Sequence, residues 1–143
     1  GRSLLALGGR ETGRRTRTHP PVTRRFPPEI IAQIDAARSL GVRSGGHRFT
    51  RVWVVVVEGR VLVRSWNDKP GGWFRAFLRQ PLGAIRVGKR EFPACGIRPR
   101  GKKLPAAVCD AFAARYPHKG SQRYVIGFRE PRRMATTLEL RPA

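Results

Sequence analysis

The stretch from Phe49 to Trp66 constrains the fold most, because two apolar runs lie on either side of a two-residue break. Residues 52–57 are all valine except Trp53, Glu58-Gly59 interrupts them, and Val61-Leu62-Val63 follows. β-branched and aromatic residues favour strands, and two such runs around a short glycine-containing break predict a β-hairpin. The first run is apolar on both faces, so we expect both faces to be covered, as in a barrel or in a sheet packed by helices.

The rest of the chain alternates short helical and strand patterns. Apolar residues at helical spacing predict helices over about 28–39, 73–80 and 104–116. Further strands are predicted at 84–88, 91–97, 124–128 and 136–140, and Pro93 places its strand at an edge or a bulge. Six strands, three helices and a hairpin predict an α+β fold around an antiparallel, barrel-like sheet.

The chain of 143 residues is most simply one folded domain with a basic extension. Residues 1–25 hold seven arginines, one acid and no continuous apolar period, so we expect an extended or disordered arm. The folded domain is then expected over residues 26–143, and it is long enough to bury a core without a metal or disulfide.

The net charge of +21 comes from 30 Lys+Arg against nine Asp+Glu, and 25 of the 30 are arginine. A field of this sign attracts phosphates, nucleic acid and anionic surfaces. An arginine excess with many Ala, Gly and Pro residues is equally typical of a skewed genomic base composition. Both interpretations of the charge remain open from the sequence.

The two cysteines, Cys95 and Cys109, show no metal-ligand spacing with the three histidines, so no metal site is predicted. Free buried thiols are typical of a reducing cytoplasm, which is the predicted location. No apolar stretch approaches the ~20 residues of a membrane span, so no membrane partner is expected. The scattered acids give no catalytic carboxylate pair, and no catalytic residue is predicted.

Four segments in succession resemble an uncharacterised bacterial family, domain of unknown function 2255. They are Val52-Trp53-Val54-Val55-Val56, Val63-Arg64-Ser65-Trp66, Gly72-Trp73-Phe74-Arg75-Ala76 and Ile85-Arg86-Val87-Gly88. That family is similar to the FMN-binding split barrels, and especially to the deazaflavin-dependent nitroreductases. The resemblance covers roughly residues 28–142.

This resemblance implies a six-stranded split barrel, a homodimer, and a phosphorylated cofactor, FMN or deazaflavin, in a reductase. Carried onto this chain, it implies that Arg64 and Ser65 hold the phosphate and that Trp73 lines the pocket. With their polar and aromatic neighbours, the candidate cofactor-binding residues are Arg64, Ser65, Trp66, Lys69, Trp73 and Arg75.

Several alternatives stay open from the residues alone. Arg64 could be an exposed strand-end residue paired with Asp68 or Glu58. The chain could be a nucleic-acid-binding module that stacks bases on Trp66, Trp73 and Phe74, or a cofactor-free interaction protein. The loop over residues 43–47 could be an anion-binding nest of amides or an ordinary turn.

Overall fold

The computed structural model describes residues 25–143 of the chain. The predicted basic arm lies outside the described residues, apart from Arg25. The helices are α1 Pro28–Ala36, α2 Trp73–Arg79, α3 Leu104–Arg115, α4 Gln122–Gly127 and α5 Pro131–Met134, with a 3-10 turn at Lys119–Ser121. The strands are β1 Leu40–Ser44, β2 Thr50–Val52, β3 Val54–Val57, β4 Arg60–Arg64, β5 Leu82–Val87, β6 Arg90–Ile97 and β7 Thr137–Pro142.

The seven strands form one antiparallel sheet in the order β2-β1-β5-β6-β7-β4-β3. The two edge strands, β2 and β3, are separated along the chain only by Trp53, so the sheet curls into a nearly closed barrel. The Tyr116 hydroxyl accepts a hydrogen bond from the Val54 amide (3.1 Å) and donates one to the Arg38 carbonyl (2.9 Å). This phenol therefore satisfies backbone groups at the break in the ladder.

The predicted hairpin is confirmed as β3 and β4, with Val54 opposite Val63 and Val57 opposite Arg60. Its two turn residues, Glu58 and Gly59, have φ values of 53° and 75°. Positive φ at both positions is what a type I′ turn requires, and that turn matches the twist of a β-hairpin.

Two apolar cores cover the two faces of this hairpin, as the valine run predicts. Val54, Val61 and Val63 point into the barrel, which helices α1 and α2 close with Ile34 and Phe77. Val55 and Leu62 point outward into a second core beneath α3 and α4, built mainly from Val108, Phe112, Tyr116, Val125 and Phe128. The strand alternation thus places successive hairpin side chains in different cores.

The prediction of six strands and three helices is corrected to seven strands and five helices over residues 25–143. The valine run is split into two strands at Trp53. Leu40–Ser44 is a further strand, which is hard to predict because the glycines in and after it are typical of turns. The predicted strand at 124–128 is wrong: Gln122–Gly127 is helix α4, with Val125 buried and Ile126 66% exposed. A short apolar run does not distinguish a strand from a helix by itself.

Strand β6 was predicted to be an edge or bulged strand because of Pro93, and it is an inner strand between β5 and β7. The proline is tolerated because the pairing of β6 with β7 begins only at Ala94, which lies opposite Pro142. Pro93 lies just before this ladder, so the ladder does not require its missing amide hydrogen. The loop after β1 is an ordinary turn, since the Gly45 amide donates to Leu82 O (2.8 Å) and the His47 amide donates to Ser44 O (3.1 Å).

Candidate functional site

A cleft of about 460 Å³ opens where β4 ends, outside the barrel. It is bordered by residues 50–53 of the β2–β3 segment, by the loop that follows β4, and by the aromatic side of α4. Five of the six predicted site residues line it: Arg64, Ser65, Trp66, Lys69 and Trp73. The sixth, Arg75, is absent from the lining.

Arg64 is the most unusual of these residues, because its side chain is only 2% exposed. Its Nε donates to Thr137 Oγ1 (2.7 Å), and its Nη1 donates to the Phe128 carbonyl (2.9 Å) and lies 3.2 Å from Cys109 Sγ. Its Nη2 is buried and has no hydrogen-bond partner among residues 25–143. A buried donor without an acceptor costs free energy.

The guanidinium of Arg64 also lacks a carboxylate partner within the described part of the chain. Burial lowers the pKa of Arg64 from its ordinary value, and the contact with Cys109 offsets only part of that effect. The alternative that Arg64 is an exposed residue paired with Asp68 or Glu58 is therefore wrong. A buried cation without an acid favours an anionic ligand.

Ser65 holds the loop that forms the rim of the cleft. Its hydroxyl accepts a hydrogen bond from the Asp68 amide (2.9 Å), and its own amide donates to Thr136 Oγ1 (3.0 Å). Asp68 has a φ of 47°, a left-handed conformation that this local bonding stabilises. Ser65 thus fixes the course of the loop that carries Trp66 and Lys69 and leads into α2 at Trp73.

One wall of the cleft is aromatic. Trp66 makes edge contacts with Tyr124 (4.8 Å between ring centroids) and Phe128 (5.7 Å), and Trp53 makes them with the same two rings. The Arg133 guanidinium lies 3.5 Å from the Trp66 ring centroid, and its Nε donates to Trp66 O. These contacts hold the tryptophans in place while leaving them on the cleft surface.

Tyr124, Phe128 and Arg51 line the cleft and are not among the residues predicted from the sequence. The first two belong to the run predicted as a strand, although their spacing of four residues is also typical of one helix face. Phe74, a candidate base-stacking residue from the sequence, is only 2% exposed and belongs to the barrel core. That role for Phe74 is wrong.

The rim of the cleft is basic. Lys69 and Arg51 are exposed on it. Asp68, the one acid of the rim among residues 25–143, forms a two-point ion pair with Arg75, with both N–O distances 2.8 Å. The hydrogen bonds to Asp68 raise the pKa of Arg75. Arg75 therefore neutralises the acid of the rim and is not itself turned toward a ligand in this arrangement.

Gly127 sets how closely Trp66 approaches α4. A Cβ placed on Gly127 would overlap atoms Cη2 and Cζ3 of the indole. We expect Gly127→Ala to displace Trp66 and to lower the free energy of unfolding by about 1–3 kcal/mol. Near-ultraviolet circular dichroism and urea unfolding measure the two effects.

The matched control for this change is Gly120→Ala, because a Cβ there would meet nothing within 4 Å. We expect the tryptophan signal of Gly120→Ala to equal that of the unmodified protein. Equal spectra for both variants would show that Gly127 does not determine the position of the indole.

Residues 25–143 contain no group of three or more His, Cys, Asp or Glu side chains placed to hold a metal ion. Within the same range, none of the helices has the length and apolar character needed to cross a lipid bilayer.

Comparison with known proteins agrees with this architecture. A crystal structure of the conserved hypothetical protein Rv2991 from Mycobacterium tuberculosis is similar in fold, with a TM-score of 0.52 and 14% sequence identity over 88% of this chain and 85% of that chain. At that identity the likeness concerns the fold alone. A search of curated proteins returned no match. Residues 30–140 match the family described as "Uncharacterized protein conserved in bacteria (DUF2255)", and the chain belongs to that family.

Proposed function

We propose that the cleft binds a phosphorylated flavin or deazaflavin cofactor, with the phosphate near Arg64 and the ring system on the aromatic wall. The observation that carries the proposal is the buried Nη2 of Arg64, which has no acceptor among the described residues and belongs to a residue of the cleft lining. A phosphate supplies the anionic oxygens that a guanidinium binds best.

The size and chemistry of the cleft support this type of ligand. Its volume of about 460 Å³ falls within the range of sites for small organic ligands. Trp53, Trp66 and Tyr124 offer apolar aromatic surface for a flat heterocycle, and Lys69 and Arg51 add positive charge at the mouth. When bound, the cofactor would supply hydride-transfer chemistry, and the chain would orient it and exclude water from one side of the ring.

The protein residues have separate tasks in this proposal. Arg64, positioned by Thr137 and the Phe128 carbonyl, neutralises the phosphate. Lys69 attracts the anion from solvent, because it is exposed and lies at the rim. Ser65 fixes the loop through the Asp68 amide, so its contribution is positional.

Equilibrium titration of the full chain tests the proposal, with FMN, riboflavin and a deazaflavin nucleotide as ligands and tryptophan fluorescence as the signal. We expect FMN to bind, and Arg64→Met to weaken FMN binding about 10- to 100-fold, because a charge-assisted hydrogen bond contributes about 1.5–3 kcal/mol. Riboflavin lacks the phosphate, so we expect it to bind more weakly than FMN. Its affinity should be the same for the unmodified protein and for Arg64→Met.

Arg132→Met is the matched control, since Arg132 is exposed and outside the cleft. Thermal unfolding of each variant shows whether Arg64→Met is folded. Lys69→Met changes a surface residue and leaves the core untouched. We expect Lys69→Met to weaken FMN binding severalfold. The proposal would be contradicted if the unmodified protein bound none of the three ligands. It would also be contradicted by equal FMN affinity in folded Arg64→Met.

A further inference from the structure

A second depression, here named the basic groove, lies on the outer surface of β1, β2 and β5. It has a volume of about 390 Å³, and its lining includes Arg38, Gly41, Phe49, Arg51 and Arg86. Arg51 of β2 and Arg86 of β5 both lie opposite Gly41 of β1, so an arginine stands on each side of a residue without a side chain. This register creates a trough between two positive side chains.

Gly41 allows Phe49 to lie close against the sheet within this groove. A Cβ on Gly41 would be 3.3 Å from Cδ1 of Phe49 and 3.2 Å from Cβ of Arg86. The Phe49 ring centroid is 4.1 Å from Cζ of Arg86 and 4.5 Å from Cζ of Arg43. Contact with the ring restricts these guanidiniums, so they lose less conformational freedom when an anion binds.

The charge of the groove is only partly compensated within residues 25–143. Arg38 and Arg51 are exposed and form no ion pair with a carboxylate of residues 25–143, and the groove lining contains no acid. Arg86 shares Glu91 with Arg43, at 3.0 and 3.9 Å. Two arginines without a carboxylate partner, and a third that shares its carboxylate, therefore give the depression a net positive charge that attracts anions.

Arg51 lines both the basic groove and the cleft at the end of β4, so the two depressions are neighbours on the surface. Lys69, Trp53 and Trp73 line the cleft on the other side of Arg51. A row of separated cations that leads to aromatic rings is longer than one small anion can cover. It fits a chain of phosphates whose bases stack without regard to sequence.

We propose that the basic groove binds the phosphodiester backbone of single-stranded nucleic acid, without sequence preference. Arg38, Arg51 and Arg86 contact successive phosphates, while Phe49 orients Arg86. Arg38 and Arg86 do not line the cofactor cleft, so replacing these two residues tests this proposal separately from cofactor binding.

Fluorescence anisotropy with a labelled oligothymidylate tests the proposal on the full chain, over a series of salt concentrations. We expect the double variant Arg38→Ser/Arg86→Ser to weaken binding about tenfold at roughly 0.1 M salt, and to reduce the slope of log Kd against log salt by about 0.7 for each phosphate that the variant no longer neutralises. An oligoadenylate should give the same pattern. FMN titration of this variant should be unchanged, which separates the result from the fate of the cofactor proposal.

The charge-matched control is Arg79→Ser/Arg132→Ser. Arg79 is exposed and has no carboxylate partner in residues 25–143, whereas Arg132 is paired with the exposed Glu130. Neither arginine lines the groove. Equal weakening in the two double variants would overturn the proposal, because binding would then follow net charge alone. Absence of oligonucleotide binding by the unmodified chain would overturn it as well. So would binding only to phosphatidylserine vesicles.

Discussion

Replacing Gly83 with alanine is expected to lower the free energy of unfolding by about 3 kcal/mol or more, at the upper end of overpacking effects. Gly83 lies on β5 opposite Ser44 of β1, and a Cβ there would overlap the Arg43 carbonyl oxygen and lie 2.9 Å from its carbon. These are backbone atoms of a paired strand, so no side-chain rotation relieves the overlap. Glycine in a strand interior is typical of such close backbone approach.

The displacement would extend beyond the two strands. The Ser44 hydroxyl lies 2.6 Å from the Gln80 carbonyl and 3.0 Å from the Ala76 carbonyl, and its one proton, donated to either oxygen, attaches β1 to the C-terminal end of α2. Urea unfolding measures the loss. Gly46→Ala is the control, since a Cβ there meets nothing within 4 Å, and it should change stability by less than about 1 kcal/mol. Similar stabilities for the two variants would contradict the observed approach of β1 to β5.

Glu139→Ala is expected to cost about 3–5 kcal/mol, because it removes the acid from a largely buried charge cluster. The Glu139 side chain is 3% exposed and lies 2.8 Å from Arg60 Nη2 and 3.2 Å from Arg141 Nη2. Without it, two guanidiniums that are 16% and 17% exposed remain together with no carboxylate between them. Chemical denaturation at neutral pH measures the cost.

The effect of Glu139 should depend on pH. Burial alone would raise the pKa of Glu139, but hydrogen bonds and charge attraction from Arg60 and Arg141 outweigh it and hold the pKa below its ordinary value. The unfolded chain then binds this proton more readily than the folded chain, so the stabilisation is complete above the unfolded pKa of about 4.3 and is lost as the pH falls through the folded pKa. The difference in stability between the unmodified protein and Glu139→Ala should therefore shrink below about pH 4.

Glu91→Ala is the matched control, because Glu91 also pairs with two arginines, Arg43 and Arg86, but is 44% exposed. Exposed pairs contribute at most about 1 kcal/mol, so this variant should be close to the unmodified protein. A cost for Glu139→Ala no larger than that of Glu91→Ala would show that the buried cluster does not stabilise the sheet.

The local pattern of the chain was sufficient for several elements. The β3–β4 hairpin follows from the valines and from a Glu58-Gly59 turn, and α3 follows from apolar residues every four positions. The position of the cleft was also predictable, because polar residues directly follow the apolar end of β4. These are properties of neighbouring residues, which strand alternation and helix period express directly.

Other features depended on residues far apart in the chain. The short apolar run at 124–128 satisfies a strand pattern, and it is largely helical because it packs on the second core beside α3. Likewise, the barrel closes at Trp53 because the Tyr116 hydroxyl, more than 60 residues later, satisfies the backbone there. Propensity alone could not supply either partner.

Arg64 shows the division most clearly. The sequence alone indicates that an arginine ends β4 beside a polar, aromatic loop. Its burial, its bonds to Thr137 and to Phe128 O, and its lack of a carboxylate partner among the described residues are visible only in the folded chain. The physical reason is that burial and charge compensation depend on which distant segments the sheet topology brings together, whereas alternation and turn chemistry act over a few neighbouring residues.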